Sequence, residues 1–162
     1  IPKPRGNTVS IHCFVDASHA SNRINRRSQT GILLFMNRAP TIWYSKRQNT
    51  VESSTFGSEF VALKTAVELI QGLRYKLRSF GIPIDGPSDV YCDNEAVTKA
   101  SANPDVTLAK KHNAVAFHKC REAVAMQMIR VAYEPTGTNL ADLLTKFKTR
   151  MDRERLIDSF MY

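Results

Sequence analysis

No run of apolar residues in this 162-residue chain approaches the ~18–20 needed to cross a bilayer as a helix, so no membrane partner is expected. Cysteine is scarce. Cys13, Cys92 and Cys120 are odd in number and none stands in a C-x-x-C spacing, which argues against a disulfide framework and against a zinc site. Two of them lie in strand-like apolar stretches, so they read as buried thiols of a reducing compartment. No basic-then-apolar secretory leader is present, but a chain that starts at Ile1 has termini that say nothing of targeting. The thiols carry the expectation of an intracellular, non-secreted location. Internal repeats and low-complexity tracts are missing too, which excludes a solenoid or a disordered tail.

What is present is an ordinary globular composition, 43% apolar and 23% charged, in a chain long enough for one domain with a real core. Net charge is +8, with a sequence pI near 9.6, a balance that suits a polyanionic partner. Residues 1–7, I-P-K-P-R-G-N, hold two prolines and a glycine and read as the linker remnant of something longer. Residues 8–162 read as a single domain, expected to be monomeric when isolated.

The central stretch is V-S-I-H-C-F-V-D-A-S at Val9–Ser18. Val9, Ile11, Cys13 and Val15 alternate with Ser10, His12 and Phe14, the period of a strand, and Asp16 arrives at its carboxyl end. After a polar loop, Thr30–Phe35 and Thr41–Ser45 form two strands around the turn Asn37–Pro40, an antiparallel hairpin. Lys46–Thr50 reads as a basic connection. Ser53–Phe80 is the longest helix: Ser53, Ser54 or Thr55 caps it and Gly81 stops it. Phe60, Leu63, Val67, Ile70, Leu73 and Leu77 give it one apolar stripe. Asp89–Cys92 is a short strand ending at Asp93, and Asn94–Ala102 a short helix. Val106–Met126 reads as a second helix with a basic face, Gln127–Tyr133 as the last strand, and Leu140–Lys148 as the start of a closing helix broken near Arg150. The predicted order is βββαβααβα: a five-stranded mixed sheet with helices on both faces.

Four acids stand at junctions of this scheme. A right-handed crossover makes the first and fourth strands parallel neighbours, so Asp16 and Asp93 meet at their carboxyl ends. Glu59 reaches in from the long helix and Asp142 from the head of the last. Each has an ordinary alternative, as a turn residue, a helix cap or a dipole-compensating acid. Carboxylates brought together repel unless a cation neutralises them, and hard oxygen ligands select Mg²⁺ or Mn²⁺. A pair of such ions roughly 3.5–4 Å apart suits in-line phosphoryl displacement.

These residues carry a resemblance. The chain resembles the ribonuclease H domain at the C-terminal end of the reverse transcriptase of copia-type LTR retrotransposons. The matching stretches are F-V-D-A-S at Phe14–Ser18, R-R-S-Q-T-G at Arg26–Gly31, P-T-I-W-Y-S-K-R-Q at Pro40–Gln48, S-S-T-F-G-S-E-F-V-A-L at Ser53–Leu63, Y-C-D-N-E-A at Tyr91–Ala96 and N-L-A-D-L-L-T-K at Asn139–Lys146. The resemblance implies the ribonuclease H fold and a metal-dependent endonuclease that cuts the RNA strand of RNA–DNA hybrids. It implies two Mg²⁺ (or Mn²⁺) ions held by Asp16, Glu59, Asp93 and Asp142, with Asp16 and Asp93 shared. A reverse transcriptase preceding it in the same polyprotein, and residence in retroelement particles, are further implications. The chain departs from the family in T-F-G-S-E-F, where Phe56 or Gly57 replaces a second acid. Glu134–Asn139 lacks the histidine of cellular ribonucleases H, and none of His12, His19, His112 and His118 is assigned that role.

Contacts to the ribose 2′-OH fall to Ala17, Ser18 and Asn94, the last two equally able to cap. Phosphate contacts fall to Arg26, Arg27, Lys46, Arg47, Lys110, Lys111 and Lys119. Trp43 and Tyr44 point to opposite faces of one strand, so at most one meets nucleic acid. A non-catalytic binding module, or one dependent on its polymerase, is the rival reading; loss of an acid would mark the former. An integrase-like core would lack Glu59 and the N-L-A-D ending.

Overall fold

A computed structural model describes residues 3, 5–22, 24–103, 105–107 and 114–161 of the chain. Its sheet has five strands: β1 (Ile11–Ser18), β2 (Gln29–Met36), β3 (Ala39–Arg47), β4 (Ser88–Cys92) and β5 (Ile129–Tyr133). They lie in the order β3-β2-β1-β4-β5. Strand β2 pairs antiparallel with β1 and β3 antiparallel with β2, whereas β4 pairs parallel with β1 and β5 parallel with β4. The mixed sheet, and the adjacency of β1 and β4 that the crossover predicted, are both present. Lys46 and Arg47 lie within β3 and not in the connection expected after it, because their backbones pair with Thr30 and Gln29.

Helix α1 (Thr55–Ser79) starts where the Ser54 side chain accepts the Gly57 N–H and ends ahead of Gly81, at φ +73°. The Gly81 N–H donates to the Arg78 carbonyl and the Ile82 N–H reaches back to the Leu77 carbonyl, satisfying the last turn. Phe60, Leu63, Val67 and Ile70 are fully buried against Cys13, Val15, Ile32, Leu34 and Val90, at roughly 1.5–3 kcal/mol for each large side chain removed from water. Helix α2 (Glu95–Ala102) is capped by Asn94, and α3 (Ala114–Ala125) packs Phe117 on Phe60 at 5.4 Å between ring centroids.

The expected helix over residues 106–126 is shorter among the described residues. Val106 and Thr107 are not helical, and the Val106 N–H turns back to the Asn103 carbonyl. Lys110, Lys111 and His112 lie outside the described residues.

The other sheet face is covered by a 3₁₀ turn (Leu140–Leu144) and α4 (Arg150–Asp158), whose Leu140 and Leu156 bury Leu33 and Phe35. Asp142 therefore sits in a separate 3₁₀ turn and not at the head of the last helix. That helix is capped afresh by Thr149, which accepts the Asp152 N–H. Tyr44 packs on the main core and Trp43 is exposed on the opposite face of β3.

Candidate metal centre

The carboxyl ends of β1 and β4 place the acids. The parallel ladder stops at Val15–Cys92, so Asp16 and Asp93 each follow the last paired residue. Asp16 is fully buried and faces Gly31 across β2. Glu59, in the second turn of α1, is buried; its Oε1 accepts the Ala17 N–H at 3.3 Å. Asp93 is half-buried and its Oδ2 accepts the Thr136 hydroxyl at 3.0 Å. Asn139 fixes the 3₁₀ turn: its Oδ1 accepts the Ala141 N–H and its Nδ2 donates to the Val15 carbonyl, both at 3.0 Å. The bond to β1 one residue before Asp16 thus brings Asp142 to the same sheet end.

Asp16, Asp93 and Asp142 each offer an oxygen, and these lie within 4.8 Å of one another. A second group within the same limit joins Glu59, Cys92 and Asp93, so Asp93 belongs to both. Burial, with Glu59 next in weight, pushes the Cys92 thiol upward, and the other donors of both groups are carboxylate oxygens. Glu59 Oε2 is buried with no hydrogen-bond partner, an acceptor aimed at nothing in the chain. A hard divalent cation fits this donor set.

Electrostatics point the same way. Burial, then repulsion from Asp16 and Asp93, raises the Glu59 carboxyl to about 9. Burial raises Asp16 to about 6, against the Thr145 hydroxyl and Lys146 and with help from Asp93 and Asp142. Burial also opposes ionisation of Asp142, but Lys146 and Lys148 outweigh it and hold that carboxyl below its ordinary range. With a chelator present, folded Glu59 keeps a proton that the unfolded chain releases above its ordinary value of 4.5. The Glu59 contribution to stability is then fully present below that value and is lost as pH rises toward about 9, by on the order of a few kcal/mol. Urea denaturation in EDTA at acidic and alkaline pH should show this slope, and Glu59→Gln should flatten it.

Sequence reasoning missed the chain's own cations here. Lys146 Nζ lies 2.6 Å from Asp142 Oδ1 and 3.3 Å from Asp16 Oδ1; Lys148 Nζ lies 2.5 Å from Asp142 Oδ2. The Thr145 hydroxyl donates to Asp16 Oδ2. The spacing of Asp142 and Lys146, four residues apart, was the available signal for one of these pairs.

The other nominated residues divide. Ser18 and Arg47 line a groove beside the acids with Asn22, Gln29, Thr145 and Lys146. The Ala17 side chain is buried, and its backbone N–H is spent on Glu59. Asn94 caps α2 by accepting from Ala96 and Val97. Arg26 and Arg27 are exposed on the loop after β1, and Lys46 on edge strand β3. Lys119 lies on α3, 3.9 Å from Glu122. His12 sits at the start of β1, 3.3 Å from Asp89, and His118 is exposed on α3.

A β3-β2-β1-β4-β5 sheet with acids at the ends of β1 and β4 is the ribonuclease H fold. LC11-RNase H1 in complex with an RNA/DNA hybrid superposes at a TM-score of 0.65 with 16% identity, covering 84% of this chain and 94% of that one. A foamy viral protease-reverse transcriptase in complex with an RNA/DNA hybrid gives 0.61 at 18% identity, over 89% of this chain and 21% of that one. In sequence, the chain is 32% identical over 142 residues to the retrovirus-related Pol polyprotein from transposon RE1 of Arabidopsis thaliana. It is also 32% identical over 157 residues to that from transposon TNT 1-94 of Nicotiana tabacum. These matches cover 88% and 90% of this chain but only 10% and 12% of the polyproteins, so the chain spans about a tenth of the curated relatives' length. No family model matches. The chain is thus similar in sequence to a segment of retrovirus-related Pol polyproteins of transposons and has the ribonuclease H fold, in agreement with the resemblance its motifs carry.

Proposed function

We propose that this chain hydrolyses the RNA strand of RNA–DNA hybrids, as the ribonuclease H part of a transposon reverse transcriptase. The observation that carries this is the meeting of Asp16, Glu59, Asp93 and Asp142 at one sheet end, with Glu59 Oε2 buried and unpartnered. The donor set suits two Mg²⁺ or Mn²⁺ ions, one facing Asp16, Asp93 and Asp142 and the other facing Glu59 and Asp93. Ions held by these residues would supply an activated water at phosphorus and charge stabilisation at the 3′-oxygen.

The chain's own residues do the rest. Asp93 offers oxygens to both sides, and burial of Asp16 and Glu59 keeps bulk water from weakening their hold. Ser18 and Arg47 line the groove through which the hybrid would pass, giving a hydroxyl for the 2′-OH and a guanidinium for phosphate. The relatives being Pol polyproteins supports a reverse transcriptase upstream in the same polyprotein. Three free, buried thiols fit the reducing, intracellular setting proposed for it.

Cleavage of a labelled hybrid, beside double-stranded RNA, double-stranded DNA and single-stranded RNA, tests this directly. Loss of the hybrid's RNA strand alone is expected with Mg²⁺ or Mn²⁺, and no loss with EDTA. Cleavage that survives EDTA, or intact hybrid at saturating metal, would overturn the reading.

A further inference from the structure

We propose that Lys146 is a resident counter-cation: it holds Asp16 and Asp142 together in the metal-free site and must leave before an ion can take their oxygens. The inference rests on the metal site of the proposed function and adds an order of filling to it.

All four oxygens of Asp16 and Asp142 face donors from the short segment Thr145–Lys148. Lys146 takes one oxygen of each, at 3.3 and 2.6 Å. The Thr145 hydroxyl takes the second oxygen of Asp16, and Lys148 the second of Asp142 at 2.5 Å. An ammonium and a divalent ion repel at contact distance and cannot share one oxygen pair. The Lys146 side chain is 36% exposed, so its flexible stem has a path outward to water.

The other side of the site differs. Among the described residues, the ion pairs that reach the acids end on Asp16 and Asp142, and none ends on Glu59 or Asp93. Glu59 Oε2 has no partner at all. The first ion therefore enters at Glu59 and Asp93, with which no lysine pairs directly; Lys146 acts on them only from a distance. The second displaces Lys146 and binds more weakly, although its ligands are already gathered.

Calorimetric titration of the full chain with Mn²⁺, without nucleic acid, tests this order. The parent should bind in a tighter and a weaker step. Lys146→Met should strengthen the weaker step about fivefold or more, the effect of removing one charge at contact distance even under strong solvent screening. The tighter step should gain less than the weaker one, because Lys146 pairs directly with neither Glu59 nor Asp93. In EDTA, Lys146→Met should melt at a lower temperature than the parent, because two carboxylates lose their counter-charge, and Mn²⁺ should restore it. Lys146→Gln gives a second variant should the methionine form fail to fold. Lys99→Met, which removes the same charge on α2, should change neither step.

An unchanged or weakened second step in both Lys146 variants would overturn the counter-cation while leaving the metal site standing. An equal gain in Lys99→Met would assign the effect to net charge and overturn it as well. Parent binding that Asp93→Asn does not reduce would remove the metal site itself, and the inference with it.

Discussion

Asp93→Asn is expected to lower hybrid hydrolysis by on the order of 10³-fold, the scale of losing one preorganised electrostatic group. The metal-free protein should be no less stable than the parent. Asp93 is the acid that belongs to both oxygen groups, so both sides of the centre lose a charged ligand at once. Its structural duty is small. It is half-buried, and its Oδ2 accepts one hydroxyl, from Thr136, a bond the asparagine carbonyl can keep.

Its charge, by contrast, works against the empty fold. It raises both Asp16 and Glu59, so removing it relieves repulsion on two buried carboxylates. Activity and metal-free stability should thus move in opposite directions. Single-turnover cleavage and a thermal melt in EDTA, run on the same preparation, separate the possibilities. Hydrolysis at the parent rate would end the metal-site reading, and a large drop in melting temperature would make Asp93 structural. Asp16 gives a less readable test, because it is wholly buried and bonded to Thr145 and Lys146.

Much of this arrangement was legible from the chain alone, for reasons tied to particular residues. Alternation through Ile11, Cys13 and Val15 needs only the strand period, and the stripe from Phe60 to Ile70 only the helical one. The adjacency of Asp16 and Asp93 followed from crossover handedness, a rule that holds whatever the side chains are. Boundaries were harder. Lys46 and Arg47 looked like a polar connection because an edge strand exposes its side chains, and charge there carries no pairing signal. The helix expected from Val106 failed at its start, since polar and apolar residues keep a helical spacing there without forming a helix at Val106 and Thr107.

The site's cationic half was the least legible. Lys148 and Asp142 are six residues apart, a spacing that faces no partner on a regular helix. They meet because the chain leaves the 3₁₀ turn after Leu144 and only re-enters a helix at Arg150. Thr145 meets Asp16 across 129 residues of sequence, a contact set by where the turn docks and by nothing local. Asn139 carries that docking through two side-chain bonds, yet in sequence it is only the last residue of a polar loop.

Gly31→Ala is expected to cost about 1–3 kcal/mol of stability and on the order of 10² in hydrolysis, although Gly31 touches no ligand oxygen. A glycine inside a strand weakens it unless another backbone comes close, and here one does. An added Cβ would lie 2.6 Å from Thr145 Cγ2, 2.8 Å from the Ala141 carbonyl oxygen and 3.0 Å from Leu144 Cβ. The carbonyl belongs to the residue before Asp142. The turn has little room to slide away, because Asn139 ties it to β1 and the Ser45 hydroxyl donates to the Leu144 carbonyl at 2.7 Å from β3. Relief must therefore come from lifting the turn, and that carries Asp142, Thr145 and Lys146 off Asp16. Thr145→Ser removes the nearest atom while keeping the hydroxyl that serves Asp16, so the double variant should recover part of both losses. A double-mutant cycle in melting temperature and cleavage rate would measure the coupling. Additive losses would show that the methyl group is not what the alanine strikes, and an active, stable Gly31→Ala would show that the turn does not depend on this close approach.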